Sequence, residues 1–244
     1  MNEATAPTEN QPTLYLIPVG MSDAPLSEVL PEFNVDVIKR IRHFIVEDLR
    51  SARRFLKRVD KAIDIDSLTF VLLNEHTPAG DVASMLDPMK RGEDVAVMSE
   101  AGCPAVADPG ALAVAEAQRR GYRVKPLVGP SSILLALMAS GFNGQSFIFR
   151  GYLPIDASAR GAALQDMTRE ITRRSTTQIF IETPYRNNRL IAELASRLPA
   201  ELLLCVASDI TGPGERIVTR PLKYWRTATY DYGRTPTIFL LYHS

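Results

Sequence analysis

Two apolar runs near the middle of the chain each end in a loop of glycine, proline and small residues, and a helical pattern follows each loop. The first loop is Ser99-Glu-Ala-Gly-Cys-Pro-Ala-Val-Ala-Asp-Pro-Gly110, and the second is Pro126-Leu-Val-Gly-Pro-Ser-Ser132. Glycine and proline in such loops expose backbone N–H and C=O groups and let a flat ligand approach closely. Because loops at the carboxyl ends of neighbouring strands form the usual ligand crevice of an α/β sheet, we expect a small-molecule site here. The alternative interpretation is that both loops are only tight turns.

The chain around these loops alternates between strand-like and helix-like patterns. Predicted strands cover residues 14–19, 43–47, 68–73, 94–98 and 123–127, and predicted helices cover 35–41, 49–59, 80–91, 111–120 and 131–140. Such alternation is typical of βαβ units in a mainly parallel sheet.

The pattern changes near Asn143, where a second α/β segment begins with Phe147-Ile-Phe-Arg-Gly-Tyr-Leu-Pro154. Long helices are predicted at 157–174 and 186–197, and strands with hairpin-like connections follow towards the end of the chain. We therefore expect a disordered tail at 1–12, an N-terminal α/β domain at 13–142 and a C-terminal α/β domain at 143–244 with a mixed sheet and flanking helices.

Composition and motifs exclude several classes of protein. The chain has 28 Lys and Arg against 28 Asp and Glu, which disfavours generic nucleic-acid binding but leaves room for a local basic face. The three histidines are scattered, the two cysteines form no Cys-x-x-Cys, and no metal site is expected. Pro18-Val-Gly-Met-Ser22 follows the first strand in place of Gly-x-Gly-x-x-Gly, which argues against an ordinary Rossmann site. No signal peptide and no apolar run of about 18 residues is present, so we expect a cytoplasmic protein without membrane contact.

Three local features have competing interpretations. In Glu182-Thr-Pro-Tyr-Arg186, Thr183 and Pro184 could simply start a helix, but Glu182 and Tyr185 also lie where ligands bind. The basic face of helix 49–59 is either solvated or contacts phosphates of an RNA substrate. It consists of Arg50, Arg53, Arg54, Lys57 and Arg58. Cys103 is interpreted as a small spacer rather than a nucleophile, because no histidine in the sequence is near it.

With these segments in order, the chain resembles the tetrapyrrole methylase family of S-adenosylmethionine-dependent methyltransferases. Glu47-Asp-Leu-Arg50, Gly151-Tyr-Leu-Pro154 and Phe180-Ile-Glu-Thr-Pro-Tyr-Arg186 join the two loops in carrying the resemblance, which spans about residues 14 to 243. Within the family, it is most similar to the branch that methylates the ribose 2′-oxygen of cytidine in 16S ribosomal RNA, and above all to a shorter, bacteroidete-type subgroup.

The resemblance implies a two-domain α/β fold with S-adenosylmethionine in the cleft between the domains, and a homodimer. Carried over position by position, it implies cofactor contacts at Pro18, Gly102, Cys103, Val106, Ser131, Ser132, Ile133, Ile181, Ala207 and Pro236. Many of these contacts would be made by backbone groups, which suits their small or apolar side chains.

Methyl transfer from a sulfonium is an in-line displacement, so the main task of the enzyme is to align the acceptor with the methyl group. A ribose hydroxyl also needs a base, for which the candidates are Glu100, Asp108 and Glu182, although Asp108 could instead form an Asx turn. Candidate substrate contacts are Arg50, Arg53, Arg54 and Tyr185. Ribosomal RNA or the small ribosomal subunit is the favoured partner. The alternatives are a methyltransferase for a tetrapyrrole or other small molecule, and a non-catalytic protein that binds S-adenosylmethionine.

Overall fold

The short apolar runs of the first half pair as five parallel strands. In the computed structural model, which describes residues 11–74, 76–78 and 80–243, these strands are β1 Thr13–Ile17, β2 His43–Val46, β3 Thr69–Leu72, β4 Val95–Met98 and β5 Arg123–Pro126. Their order in the sheet is β3-β2-β4-β1-β5. The central strand β4 is buried over its whole length, as expected of a parallel strand with helices on both faces. The predicted parallel sheet is therefore confirmed. Residues 1–10 of the predicted tail lie outside the described residues.

Helices cover both faces of this sheet. They are α1 Glu32–Arg40, α2 Leu49–Val59, α3 Val82–Met85, α4 Asp87–Lys90 and α5 Gly110–Arg119. One apolar core lies under α1 and α2, and another lies under α3, α4 and α5.

The single helix predicted over 80–91 is wrong in one respect, because two four-residue helices meet there at Leu86. Pro88 has no N–H to bond to the carbonyl of Ser84, so one continuous helix cannot pass through it.

The second half of the chain forms a mixed sheet. Its strands are β6 Phe147–Tyr152, β7 Thr177–Ile181, β8 Leu203–Ser208, β9 Arg216–Pro221 and β10 Thr237–Tyr242, in the order β6-β7-β10-β8-β9. Only β6 and β7 pair in parallel, and the other pairs are antiparallel. The helices are α6 Ser132–Ser140, α7 Ala157–Arg174, α8 Asn187–Arg197 and α9 Leu222–Trp225. The mixed sheet with flanking helices agrees with the sequence expectation.

The chain divides into two compact units, residues 1–130 and 131–244. Helix α6 belongs to the second unit because it packs on β9 and β10, and the hydroxyl of Thr219 donates a hydrogen bond to the Ser140 carbonyl at 3.0 Å. The predicted limits 13–142 and 143–244 assign this helix to the first domain, so the observed division falls earlier in the chain. None of the helices in the described part of the chain is long and apolar enough to cross a lipid bilayer.

Candidate functional site

In the first unit, the loops that follow β4, β1 and β5 lie side by side. These strands are parallel neighbours, so their carboxyl ends meet at one edge of the sheet. Val19, two residues after β1, and Gly102 in the first loop bond to each other through their backbones, with N···O distances of 2.9 and 3.0 Å. The structure thus brings together Pro18, the first loop and the start of the second loop.

Two glycines allow this close approach. Gly102 has φ +72°, a left-handed conformation that disfavours other residues. At Gly129 in the second loop, an added Cβ would overlap the ring of Pro18. The loops after β1 and β5 can therefore touch only because residue 129 has no side chain.

Cys103 connects the two glycine-rich loops. Its thiol is half-buried and lies 3.3 Å from the carbonyl oxygen of Pro130, to which it donates. Burial raises the pKa of this thiol, which keeps it protonated at neutral pH. Because this thiol is protonated and hydrogen-bonded, Cys103 is better interpreted as a small spacer than as a nucleophile.

Asp108 holds the first loop in an unusual backbone conformation. Ala105 and Ala107 both have positive φ, at 66° and 60°. The Oδ1 atom of Asp108 accepts hydrogen bonds from the backbone N–H groups of Ala105 and Gly110, at 2.9 and 2.6 Å, which supports the Asx-turn interpretation. Its Oδ2 atom is buried without a hydrogen-bond partner among the described residues, beside a cavity of about 10 Å³. Burial raises the pKa of this carboxyl group.

A buried amide that the sequence analysis missed supports the second loop. Asn34 in α1 is 1% exposed, and its Nδ2 donates to the carbonyl of Val128 at 2.8 Å. This contact spans 94 positions of the chain. A single Asn within a helix produces no periodic signal, so only its tertiary partner reveals its role.

Small and apolar side chains dominate the surface at these loops. Val106 is 50% exposed and Val128 is 72% exposed, and both lie in loops at the same edge. Together with the backbone groups of the loops, they suit a flat ligand with an apolar face and hydrogen-bonding edges. Glu100 is exposed in the first loop and brings a carboxylate to the same region.

In the second unit, three of the predicted cofactor residues converge at the ends of adjacent strands. Ile181 on β7 and Ala207 on β8 flank Ile238 of β10 in register. Pro236 directly precedes β10, and its carbonyl accepts from the N–H of Asp209 at 3.0 Å. The strand order β7-β10-β8, which the sequence did not predict, is what joins these positions.

Ser131, Ser132 and Ile133 open helix α6. Ser131 is the N-cap residue, and its carbonyl accepts from Leu135 N–H at 2.9 Å, while all three side chains are half-buried. The first N–H groups of a helix have no partner within the helix, so this end favours electron-rich ligand groups.

The segment Glu182–Arg186 is internally bonded. The Oε1 atom of Glu182 accepts from Thr183 N–H at 2.7 Å and pairs with Arg186 at 2.9 Å. Thr183 is the N-cap position of a short 3₁₀ turn, as expected, with Pro184 as the first residue of the turn. Its hydroxyl makes no capping bond and accepts instead from Nε of Arg186 at 3.0 Å. Tyr185 is left 82% exposed.

A second missed amide holds the loop that precedes β10. Asn187 is fully buried, and its Nδ2 lies within hydrogen-bonding distance of the carbonyls of Tyr232 and Thr235 and of the Thr237 hydroxyl. These contacts hold the backbone that precedes Pro236 and the side chain of Thr237 that follows it.

The basic face of α2 divides into two parts. Arg50, Arg53 and Arg54 are exposed. The guanidinium carbon of Arg53 lies 5.6 Å from the centre of the Phe70 ring. Lys57 and Arg58 instead donate to backbone carbonyls, Arg58 to those of Ser22 and Ala24 at 3.3 and 2.8 Å. A groove of about 1270 Å³ runs beside this face and is lined in part by Arg54. Charge available to a ligand therefore lies mainly on the three arginines.

The chain is similar to known proteins over most of its length. The family model for Tetrapyrrole (Corrin/Porphyrin) Methylases matches residues 13–224. "Ribosomal RNA small subunit methyltransferase I" of Vibrio cholerae is 31% identical over 86% of this chain and 69% of its own length. The protein of that name from Pseudomonas aeruginosa is 34% identical over 86% of this chain and 70% of its own length.

Solved structures share the fold at lower identity. The methyltransferase CobJ superposes with a TM-score of 0.62 at 17% identity, covering 95% of this chain and 93% of its own. Uroporphyrin-III C-methyltransferase of Thermus thermophilus, complexed with S-adenyl homocysteine, gives a TM-score of 0.56 at 16% identity, with 95% and 97% covered.

Proposed function

The chain belongs to the tetrapyrrole methylase family, and from that membership we propose that it methylates a ribose 2′-hydroxyl in the RNA of the small ribosomal subunit. It is a methyltransferase that uses S-adenosylmethionine as the methyl donor. The observation that supports the RNA substrate is the similarity to proteins named for small-subunit ribosomal RNA methylation, at 31% and 34% identity over 86% of the chain.

The loops of the first unit fit S-adenosylmethionine. Its adenine is flat, and its polar edges suit backbone partners such as those of Cys103 and Val106 beside Pro18. Gly102, whose own N–H and C=O are bonded to Val19, is proposed as a contact because its lack of a side chain lets a ligand approach the loop closely. In the second unit we propose Ser131, Ser132 and Ile133 at the start of α6, and Ile181, Ala207 and Pro236 at the ends of their strands, as the remaining contacts. When bound, the cofactor supplies an electrophilic methyl group on a sulfonium centre.

Glu100 is the proposed base for the ribose hydroxyl. Among the three candidate carboxylates, it is the one that is exposed in its loop. Asp108 and Glu182 have one oxygen each bonded within their own segments, by Ala105 and Gly110 and by Thr183 and Arg186. We assign these two a positioning role, Asp108 for the first loop and Glu182 for the segment that carries Tyr185.

For the RNA we propose contacts with the exposed arginines of α2. Arg50, Arg53 and Arg54 lie on one exposed surface, and arginine pairs well with phosphate oxygens. Tyr185 is the proposed contact in the second unit. We further propose a homodimer that works in the cytoplasm, where its ribosomal substrate is made.

Transfer of a labelled methyl group tests this function. Purified protein is incubated with labelled S-adenosylmethionine and small ribosomal subunits from cells that lack the gene, and the position of the label in the RNA is mapped. We expect label on one ribose, and we expect Glu100→Gln to slow the transfer while S-adenosylmethionine affinity stays the same. Label on a tetrapyrrole precursor, with none on RNA, would favour the small-molecule alternative.

A further inference from the structure

We propose that the carboxyl edge of β6 and β7 forms a stacking platform for an unpaired nucleotide of RNA. The platform consists of Tyr152, Ile155, Tyr185, Arg186 and Arg189, all in the second unit. The inference rests on the proposed function, since it takes RNA as the substrate, and it assigns to this edge the task of binding a base and its phosphate.

Large side chains are exposed together at this edge. Tyr152 is 63% exposed, Ile155 is 76% exposed and Tyr185 is 82% exposed. Strands β6 and β7 are parallel neighbours, so the segments that follow them leave the sheet at the same edge. Tyr152 pairs in register with Ile181, the last residue of β7, and Tyr185 follows in the next turn. Single exposed apolar residues are ordinary on a protein surface, but a group of three at one edge indicates a binding surface.

A β-bulge lies just before Tyr152, at the end of β6. The register of β6 against β7 shifts between Phe149 and Tyr152, and Gly151 has φ +65°. Bulges of this kind redirect a side chain and are frequent beside binding sites.

The charge on the residues that follow the two tyrosines in the sequence favours an anionic partner. A pocket of about 100 Å³ is lined by Ile155, Arg160, Glu182, Arg186, Arg189, Leu190 and Glu193. Its two carboxylates are already paired, Glu182 with Arg186 and Glu193 with Arg160 and Arg197. Arg189 is exposed and has no ion-pair partner in the described part of the chain. The nearby carboxylate of Asp156 caps α7 by accepting from Ala159 N–H. One cation therefore remains for a phosphate.

The platform is held in place before any ligand arrives. Arg160 donates to the carbonyls of Pro154 and Ile155 at 3.1 and 2.9 Å, which fixes the segment that carries Ile155. Glu182 and Thr183 hold Arg186 in the turn that carries Tyr185. A surface that is already ordered loses little conformational entropy on binding.

Exposed aromatic rings and an unpaired arginine at one edge of the sheet suit single-stranded RNA. Every base has a π-face that can stack on tyrosine, and the neighbouring phosphate can pair with a guanidinium group. Paired bases in a duplex cannot offer their faces in this way. The platform is therefore expected to prefer unpaired RNA over duplex RNA.

Fluorescence anisotropy with a labelled, unstructured oligoribonucleotide of mixed sequence tests the platform. We expect Tyr185→Ala and Tyr152→Ala each to weaken binding by about 5- to 150-fold, the range for loss of one stacked base. Tyr185→Phe keeps the ring and should bind like wild type. Arg189→Ala should reduce the slope of log affinity against log salt concentration by about one. Arg173→Ala, an exposed arginine in the last turn of α7, is the matched control and should change neither quantity.

Unchanged affinity in Tyr185→Ala, Tyr152→Ala and Arg189→Ala would overturn the platform. A change in sedimentation mass in these variants, without loss of RNA affinity, would also overturn it and would assign the edge to a contact between copies. Methyl transfer is scored separately on small ribosomal subunits. Wild-type protein that binds the oligoribonucleotide through the tyrosines but transfers no methyl group would refute only the proposed function. Methyl transfer without any role for the tyrosines would refute only the platform.

Discussion

Val19 and Gly102 pair through their backbones, each donating its N–H to the carbonyl of the other at 2.9 and 3.0 Å. This pair joins the loop after β1 to the loop after β4, and it places Gly102 in a left-handed conformation with φ +72°. The geometry of the proposed cofactor site therefore depends on one glycine whose conformation no other residue adopts easily.

Substitution Gly102→Ala should lower both stability and cofactor affinity. The added Cβ would meet no atom closer than 3.7 Å, so the cost comes from the backbone conformation, about 1 to 2 kcal/mol. The matched control is Gly121→Ala, at a residue with φ +71° and no neighbour within 4 Å, at the end of α5. Urea unfolding should show similar losses for both variants, whereas calorimetry should show weaker S-adenosylmethionine binding for Gly102→Ala alone. Equal affinities in the two variants would contradict the assignment of Gly102 to the site.

Substitution Asn187→Ala should destabilise the second unit strongly. It leaves the carbonyls of Tyr232 and Thr235 without their buried donor, and each unsatisfied group costs about 1 to 3 kcal/mol. Asn187→Asp should be worse, because a carboxylate would face those same carbonyl oxygens. Ser196→Ala, on the same helix, is the control, since the exposed Ser196 hydroxyl donates only to the Glu193 carbonyl and water can replace it. Equal free energies of unfolding for Asn187→Ala and Ser196→Ala would show that the buried amide of Asn187 does not stabilise the second unit.

Much of the fold could be predicted because its elements have strong local signals. Helix α7 begins and ends where the sequence indicates, after the cap residue Asp156 and at Arg174. The break at Leu86 could also be found in the sequence, since Pro88 lies inside the predicted helix. The insertion of β10 between β7 and β8 could not, because strand order depends on pairing between distant segments.

The candidate site, like the fold, could be predicted from the sequence only in part. The composition of the two glycine-rich loops predicts a ligand site, which stays a prediction, and the structure shows that the loops after β1, β4 and β5 meet at one edge of the sheet. The amides of Asn34 and Asn187 act across 94 and 45 positions of the chain, and no local pattern marks them. The sequence allows Asp108 to be either a base or the centre of an Asx turn, and its bonds to Ala105 and Gly110 support the turn.

Charge reversal at Arg54 should weaken RNA binding without affecting the cofactor. Arg54 is exposed on α2 and lines the groove beside it, whereas Arg58 also supports the carbonyls of Ser22 and Ala24. Arg54→Glu is therefore the cleaner variant. Its affinity for small ribosomal subunits should fall, and the salt dependence of binding should become shallower by about one counterion. Arg173→Glu makes the same change of charge on α7 and should bind like wild type. A variant Arg54→Glu with unaltered RNA affinity would remove α2 from the proposed interface.

Glu116 should make the free energy of unfolding depend on pH in the acid range. Its carboxylate accepts two hydrogen bonds from Arg119, at 2.8 and 2.6 Å, and one from Arg120 at 2.6 Å. These contacts, with Arg119 foremost, lower its pKa from 4.5 to about 2. Between these two values the unfolded chain binds more protons than the folded chain, so the stabilisation is present above pH 4.5 and is lost as pH falls towards 2. Thermal unfolding of Glu116→Gln should accordingly show a lower Tm at neutral pH and a shallower acid decline, with the two proteins converging near pH 2. Glu201→Gln serves as the control, because Glu201 and its partner Lys223 are 71% and 58% exposed, and such surface pairs contribute little. Parallel pH profiles for wild type and Glu116→Gln would mean that the arginine contacts at Glu116 are not maintained in solution.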